Sequence, residues 1–209
     1  MIILPTRRRV EDAQRFMAAC RDIPGLLVVD DDDVIPAHPS NWSVLIIERQ
    51  QGGAARPLNE AFKAYPNESF YVLGNDDFVP DEGWPMGLVN KLNPWGITYG
   101  PDAIQNTKLL TFPCIDGDLA RAVGWFSLPG VRHFYSDNAW TDIAGALGNA
   151  IYISDCGGVH HHYVKTGNRD ETSNQRGSSE ADRLVYEQWK KHTFPKMIEA
   201  IKCDPLSPF

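Results

Sequence analysis

The stretch YVLGNDDFVPDEGW, residues 71–84, starts as an apolar strand and then turns abruptly polar. Residues 71–73 form a run that is typical of a strand buried on both faces. Asn75, Asp76 and Asp77 follow, and two adjacent carboxylates repel each other unless solvent, a helix terminus or a metal ion compensates them. Such oxygen ligands suit hard cations, whereas Asn and Asp also form ordinary turns. The triplet by itself therefore predicts either a cation site or a turn.

The composition is typical of a soluble globular protein. The chain has 209 residues, 43% of them hydrophobic and 22% charged, which is enough for one core, so we expect a single domain over residues 1–209. The net charge of −7 argues against a broad electrostatic grip on nucleic acid, although it leaves room for a local basic groove.

The cysteines and the N-terminus predict the location. The four cysteines lie far apart without a CxxC pair, as reduced thiols of an intracellular protein do, and they argue against a cysteine zinc site. The opening MIILPTRRR places only four apolar residues before its charges, the reverse of a signal peptide. No later run approaches the roughly 20 apolar residues of a membrane span. We therefore expect a cytoplasmic protein that does not enter a membrane.

Strand and helix patterns alternate along the first half of the chain. The predicted elements are strands at 2–4, 26–29, 44–47 and 69–73, with helices around residues 10–20 and 58–62 between them. Apolar strands separated by helices predict an α/β fold with a mostly parallel, Rossmann-like sheet. Ligands of such sheets bind beyond the carboxyl ends of the strands. Four polar clusters converge on that edge, at residues 5–7, 30–33, 48–49 and 75–77.

The second half is less regular. We predict strands at 97–99, 109–112 and 150–154, and helices at 118–125, 138–147 and 180–191, the last interrupted by Pro195. Residues 165–179 contain Gly, Asn, Ser, Thr and charged residues with hardly an apolar one, which predicts a mobile loop or lid.

Two histidines of the stretch Val159-His160-His161-His162-Tyr163 are candidate metal ligands. Strand alternation places His160 and His162 on one face and His161 on the other. Together with nearby carboxylates, the pair predicts a metal site. The alternatives are a solvated edge strand and a pair of histidines that holds the lid by hydrogen bonds.

Three further groups carry open alternatives. Asp137 precedes a predicted helix and either caps it or acts as a general base. The run Asp30–Asp33 is either a solvated turn or an acceptor for hydrogen bonds from a base or sugar. Trp84, Trp95, Trp125 and Trp140 either stack on a sugar or base or pack in the core.

Taken in order, these clusters resemble glycosyltransferases of the GT-A fold, and within them the large family-2-like group. The resemblance spans residues 1–175 and rests on several segments: Pro5-Thr6-Arg7, Asp30 or Asp31, the stretch Gly52–Asn59, Leu73–Asp77 as a variant Asp-x-Asp motif, Ser136-Asp137, and His160-x-His162 with the loop after it. The sequence departs from the family at Gly74, where the first aspartate of the motif usually stands, and at Ser136, which replaces the commoner glutamate.

The resemblance implies a compact enzyme that uses a nucleotide diphosphate sugar, with a UDP-sugar favoured. Residues 1–77 would bind the donor, residues 78–175 the acceptor, and residues 176–209 would form a C-terminal helical segment. The implied donor-binding residues are Pro5, Thr6, Arg7, Asp30, Asp31, Arg56, Asn59, Asn75 and Asp76. The implied ligands of Mn²⁺ or Mg²⁺ are Asp77, Asp76 and either His162, which we favour, or His160.

The implied reaction is an inverting transfer of a hexosyl or pentosyl group, with Asp137 as the base that deprotonates the acceptor hydroxyl. The acceptor would be a saccharide, a protein or a modified nucleic-acid base. Two alternatives remain: an inactive protein that binds nucleotide sugars, and a metal-dependent phosphoesterase or nuclease. The first would bind nucleotide without turnover. The second would cleave phosphoesters and would commonly need more bridging carboxylates than the sequence offers.

Overall fold

The computed structural model describes residues 1–102, 108–161 and 178–203. The strands are β1 Ile2–Thr6, β2 Gly25–Asp30, β3 Trp42–Ile47, β4 Phe70–Leu73, β5 Phe78–Pro80, β6 Ile97–Tyr99, β7 Cys114–Asp116, β8 Ala150–Tyr152 and β9 Gly158–His160. The helices are α1 Val10–Ala19, α2 Ala55–Ala64, α3 Trp84–Asn90, α4 Gly117–Val123, α5 Ser136–Leu147, α6 Ser179–His192 and α7 Phe194–Cys203.

Seven of the strands form one mixed sheet in the order β3-β2-β1-β4-β7-β6-β8. The pairs β3-β2, β2-β1, β1-β4 and β6-β8 are parallel, and β7 is antiparallel to both of its neighbours. The first four strands thus follow the order 3-2-1-4 of doubly wound folds. β5 and β9 pair separately as an antiparallel ribbon. The predicted fold class, a mostly parallel α/β sheet flanked by helices, is confirmed.

Each face of the sheet carries its own hydrophobic layer, because neighbouring residues of a strand point to opposite sides. On β1, Ile2 and Leu4 belong to the layer that contains Phe16 of α1 and Trp84 of α3. Ile3 belongs to the other layer, which α2, α4, α5 and α7 complete. The sheet is therefore covered on both sides, as its apolar strands predicted.

The predicted strand at 109–112 is wrong. The pairing strand is β7, at Cys114–Asp116, and residues 108–113 form an irregular segment before it. Leu110 and Phe112 are buried, but the Leu110 N–H donates to the side chain of Thr141, to Oγ1 at 3.1 Å, and not to a neighbouring strand. The apolar residues at 109–112 therefore indicated that the segment is buried, but not that it pairs as a strand.

The helix predicted at 180–191 is confirmed, and a further helix, α7, follows it. α6 starts after Ser178, whose hydroxyl accepts a hydrogen bond from the Ala181 N–H, and it ends at His192. Pro195 lies in the first turn of α7, where its missing N–H is tolerated. Residues 162–177, which hold most of the predicted lid and His162, lie outside the described residues. Within the described ranges, no helix is long and apolar enough to cross a membrane.

Candidate functional site

A cavity of about 400 Å³ lies beyond the carboxyl ends of the parallel strands. Its charged lining consists of five arginines and two aspartates: Arg7, Arg9, Arg49, Arg56, Arg132, Asp30 and Asp76. Pro5, Thr6 and Asn75 line it as well. Because cations outnumber carboxylates, this first cavity suits an anionic ligand such as a phosphate or diphosphate.

The acidic run after β2 faces arginines, so the solvated-turn interpretation is wrong for its buried member. Arg7 Nη1 donates to Asp30 Oδ2 at 2.8 Å and to Asp32 Oδ1 at 2.7 Å. Arg49 Nη1 lies 3.5 Å from the same oxygen of Asp30. Asp31 is exposed, does not line the first cavity and accepts the Arg49 N–H at 3.0 Å. Asp30 is therefore the member of the run that faces the cavity.

Asp76 is compensated by the chain itself. Its side chain is buried, and it accepts hydrogen bonds from Thr6 Oγ1 at 2.9 Å and from Arg9 Nη1 at 2.7 Å. Burial raises the pKa of Asp76 to about 6, while the charge of Arg9 acts against this rise and the charge of Asp77 adds to it. Asp76 thus belongs to the first cavity, where it orients Arg9 and Thr6.

Gly74 stands where the resembled motif usually has an aspartate because the fold leaves no room there. A Cβ at this position would lie 2.9 Å from Phe16 Cζ and 3.0 Å from the Ile3 carbonyl oxygen. The chain runs beside β1 at this point and continues the parallel pairing of β4, with the Gly74 N–H donating to that carbonyl at 2.8 Å.

The residues of the stretch Gly52–Asn59 have different surroundings: some line the first cavity and others hold the backbone. Arg56 lines the first cavity and donates to the Glu48 carbonyl. Asn59 lines neither cavity described here, because its side chain bonds to the backbone of residues 126–127. A Cβ at Gly53 would lie 2.3 Å from His133 Nδ1, which accepts the Ala54 N–H at 3.3 Å. Glycine thus lets this loop pack directly on residue 133.

A second cavity of about 500 Å³ adjoins the first. The two share four lining residues: Pro5, Ala54, Asn75 and His133. Its titratable lining residues include Asp102, Asp137 and His160, and the described residues that line it include no lysine or arginine. The described linings of the two cavities therefore differ in charge where they meet.

His160 lies between two carboxylates. Its Nε2 is 3.3 Å from Asp77 Oδ1, and its Nδ1 is 2.9 Å from Asp102 Oδ1. Burial lowers the pKa of His160, but the hydrogen bonds and charges of Asp102 and Asp77 outweigh it and raise the pKa to about 9. A protonated His160 balances Asp77, just as Arg9 balances Asp76. The adjacent aspartates are therefore tolerated because each faces its own cation.

The predicted alternation of the histidines holds where it is described. His160 is buried, whereas His161 is exposed and only its N–H bonds inward, to the Asp77 carbonyl at 2.7 Å. His162, the favoured metal ligand, lies outside the described residues.

Asp77 and His160 could hold a divalent cation if a bound ligand supplied further donor atoms, with Asp102 behind His160. Two neighbouring ligands of a cation with bonds of roughly 2.0–2.1 Å lie about 3 Å apart, close to the 3.3 Å between Asp77 Oδ1 and His160 Nε2. Asp102 holds the other ring nitrogen, as outer carboxylates do for metal-binding histidines. In the described part of the chain, no cluster of three or more His, Cys, Asp or Glu could hold a metal ion alone. Phosphate oxygens would have to supply the remaining ligands.

Asp137 lies in the first turn of α5 and is not its N-cap. The N-cap is Tyr135, which makes no side-chain capping bond and has a left-handed backbone with φ of 70°. Asp137 Oδ1 accepts the Asn138 N–H at 2.9 Å, and the side chain lines the second cavity. Burial raises the pKa of Asp137, the Asn138 N–H lowers it, and the charge of Asp102 raises it further. The side chain is thus available to a ligand of that cavity.

The sequence did not predict the wall that the two cavities share, which residues 132–134 form and Asp182 holds. Asp182 of α6 is 2% exposed, and its two oxygens accept the backbone N–H groups of Arg132, His133 and Phe134 at 2.9–3.0 Å. These residues line the two cavities. In the sequence, Asp182 is one of several charged residues of this amphipathic helix, and such residues usually face solvent. Nothing in the local pattern distinguishes it from its exposed neighbours.

Of the two alternatives for the tryptophans, stacking on a ligand or packing in the core, the structure shows core packing. Trp84, Trp125 and Trp140 are buried, and Trp95 packs against the same hydrophobic layer as Trp140. None of them lines the first or the second cavity. Phe134 and Tyr135 supply aromatic rings to the second cavity instead.

Comparison with solved structures supports the fold. The chain is similar to S. aureus TarS residues 1–349, with a TM-score of 0.53 and 13% sequence identity over 97% of this chain and 74% of that chain. It is also similar to Rv0371C in complex with manganese from Mycobacterium tuberculosis H37Rv, with a TM-score of 0.45 and 12% identity over 89% of this chain and 96% of that chain. No family model and no curated protein matches the sequence significantly. At these identities the likeness shows the fold alone, which is Rossmann-like and consistent with the GT-A type.

Proposed function

We propose that the protein is a glycosyltransferase that moves a sugar from a nucleotide diphosphate to an acceptor hydroxyl. The observation that carries this proposal is the pair of adjoining cavities at the carboxyl edge of the parallel strands. The arginine-lined cavity suits the diphosphate of a donor, and the carboxylate-lined cavity suits an acceptor that must lose a proton. Residues 1–77 supply most of the donor side, and residues 78–161 most of the acceptor side.

In the donor cavity, the chain's own cations hold the phosphates. Arg9 and Arg49 are already oriented by Asp76 and Asp30, so little conformational freedom is lost when a diphosphate binds. Asp30, which lines this cavity, would accept hydrogen bonds from the base or the ribose of the donor. A UDP-sugar is the donor we favour.

In the acceptor cavity, Asp137 is the proposed base. It takes the proton of the acceptor hydroxyl while that oxygen forms its bond to the anomeric carbon and the bond from that carbon to the diphosphate oxygen breaks. The nucleoside diphosphate leaves with the electron pair of the broken bond, and the configuration inverts. Burial of Asp137 raises its pKa, which makes its carboxylate a better proton acceptor.

Asp77 and His160 are the residues that would hold Mn²⁺ or Mg²⁺, with Asp102 behind His160. When bound, such a cation supplies positive charge that stabilises the leaving diphosphate. His160 replaces His162 as the proposed ligand because of its 3.3 Å approach to Asp77.

A donor screen tests the proposal. We expect UDP or a UDP-sugar to raise the melting temperature, and manganese to enlarge the shift. Asp77→Asn should remove the manganese-dependent part, whereas Asp81→Asn, an exposed neighbour, should leave it intact. If no nucleotide diphosphate stabilises the protein, the proposal is wrong. Tight binding without transfer to any acceptor would favour the alternative of an inactive sugar-nucleotide binder.

A further inference from the structure

Asn59 lines neither cavity, yet its side chain holds the loop between α4 and α5. Its Oδ1 accepts the N–H groups of Phe126 at 2.9 Å and Ser127 at 2.8 Å, and its Nδ2 donates to the Ser127 carbonyl at 2.7 Å. Arg56, about one turn earlier on the same helix, lines the first cavity. α2 therefore faces the first cavity at its start and fixes residues 126–127 with its next turn.

Ser127 connects this loop to the start of α5. The residue is fully buried, and its hydroxyl forms a short hydrogen bond with the hydroxyl of Ser136, the first residue of the helix. Trp140, about one turn further on, donates from Nε1 to the Phe126 carbonyl at 2.8 Å. The start of α5 is thus tied at two points to the segment that Asn59 holds.

The start of α5 depends on such contacts because it has no side-chain cap. Its N-cap, Tyr135, has a left-handed backbone and makes no capping bond with its side chain. A capping side chain would normally satisfy and fix the first N–H groups of a helix. Asp137 follows Ser136 directly and accepts the Asn138 N–H, so the geometry of this turn decides where its carboxylate lies in the second cavity.

We infer that Asn59, Ser127 and Ser136 are positioning residues for Asp137: they keep the first turn of α5 in place, so that the carboxylate holds one orientation towards the second cavity. The contacts do not depend on any reaction, but the role of Asp137 as a base rests on the proposed function. Positioning matters to that role because a shift of about 1 Å in a catalytic geometry can cost roughly 10²-fold in rate. Ser136, which stands where the resembled family commonly has a glutamate, acts in this chain through its bond to Ser127.

The orientation of Asp137 can be measured without any ligand. In isotope-labelled protein, three-bond NMR couplings to the carboxyl carbon report the χ1 rotamer of Asp137. We expect one rotamer in the parent and averaging over several rotamers in Ser136→Ala, whereas Ser136→Thr keeps a hydroxyl and should restore the couplings of the parent. A residue that only stabilised the fold would leave these native-state couplings unchanged. Couplings in Ser136→Ala that equal those of the parent would therefore overturn the inference.

Amide hydrogen exchange of Asn138 measures whether the two serines act as a pair. This N–H lies in the first turn, where the helix offers no backbone acceptor, so its protection comes from Asp137 Oδ1. Ser127→Ala and Ser136→Ala each remove the same hydrogen bond, so each should speed the exchange about fivefold, and the double variant should be no faster than either. Increases that multiply to about 25-fold would show that the serines act independently and would contradict the inference.

Asn59→Asp tests the first contact of the series. The carboxylate keeps both acceptor contacts but cannot donate to the Ser127 carbonyl, so the loop should loosen and the exchange of Asn138 should again rise about fivefold. Glu60→Gln is the matched control, because Glu60 is the next residue of α2 and pairs with Lys63, and it should exchange as the parent does. Equal exchange in Asn59→Asp and the parent would refute the role of Asn59. If Asn59→Asp does not fold, the serine variants still decide the inference.

UDP binding in the same samples separates this inference from the proposed function. Ser127 and Ser136 line the second cavity and not the first, so their variants should bind UDP with the dissociation constant of the parent. If the parent does not bind UDP, the proposed function fails, while the couplings of Asp137 still decide the positioning. If the parent binds UDP and Ser136→Ala keeps the couplings of the parent, the proposed function stands and this inference is lost.

Discussion

The two cavities adjoin each other, yet they are built in different ways. Most of the first lies at or just after the carboxyl ends of β1, β2, β3 and β4, so one sheet edge brings these residues together, and residues 131–133 close it. The second collects residues from the segment before β7, the start of α5, β9 and residues 133–135. The first is therefore a consequence of parallel topology. The second depends on contacts between segments that are distant in sequence, and changes to it should be separable from changes to the first.

The largest effect is expected from Asp137→Asn. The amide keeps the size of the side chain and can still accept the Asn138 N–H, but it cannot take a proton. We expect the transfer rate to fall on the order of 10²-fold or more, with unchanged UDP binding in the first cavity. Steady-state transfer kinetics and a UDP titration measure the two effects.

Asp142→Asn is the matched control for this variant. Asp142 lies on the same helix but pairs with Lys190 and Tyr186, and it lines neither cavity. It should retain nearly full activity. A fully active Asp137→Asn would refute Asp137 as the base.

Asp182→Ala should affect both cavities, because it releases their shared wall. Three N–H groups in part-buried positions would lose their acceptor. A hydrogen bond to a charged group contributes roughly 1.5–3 kcal/mol, but water can replace part of each bond at this partly exposed wall, so we expect a total loss of about 3 kcal/mol in the free energy of unfolding. Urea unfolding measures the loss. Glu187→Ala, on the exposed face of α6, should change stability by less than about 0.5 kcal/mol. Equal stability of both variants would show that the wall does not depend on Asp182.

Asp102→Asn should weaken metal binding and leave UDP binding in the first cavity unchanged. Outer carboxylates of metal-binding histidines typically contribute 10–100-fold in affinity, so we expect Mn²⁺ to bind the UDP-loaded variant roughly 10–100-fold more weakly. The free Mn²⁺ signal in electron paramagnetic resonance measures this affinity without reference to activity. Asp155→Asn, an exposed carboxylate that lines a surface hollow beside Asp102, should have no such effect. Unchanged affinity in Asp102→Asn would place the cation elsewhere.

The last prediction is a pH dependence of stability that originates at His160. Its pKa in the folded protein is about 9, above the ordinary 6.5, so folding favours the protonated ring. The resulting stabilisation is fully present below pH 6.5 and is lost as the pH rises from 6.5 through 9. In metal-free buffer, the free energy of unfolding should fall more between pH 6.5 and 9 for the parent than for His160→Gln. Identical slopes for the two proteins would mean that His160 is not paired as described.

The sequence predicted the first cavity better than the second. The edge of a parallel sheet follows from the order of strands and helices, so the order of elements alone assigns Thr6, Arg7, Asp30 and Asp76 to one rim. Asp31 and Asn59 line neither cavity. Asp31 accepts the Arg49 N–H, and Asn59 bonds to the backbone of Ser127. No local sequence pattern predicts which hydrogen-bond partner such a side chain will have.

The amino-acid sequence by itself determined the mostly parallel sheet, the helices that cover it and the polar rim, because these depend on local periodicity and on burial. Only the tertiary structure decided which group compensates each carboxylate. Arg9 meets Asp76 from 67 residues away, and Asp102 meets His160 from 58 residues away. The interaction energy of two charges depends on the distance between them and on how far solvent screens them. Neither the distance nor the screening can be read from the spacing of residues along the chain.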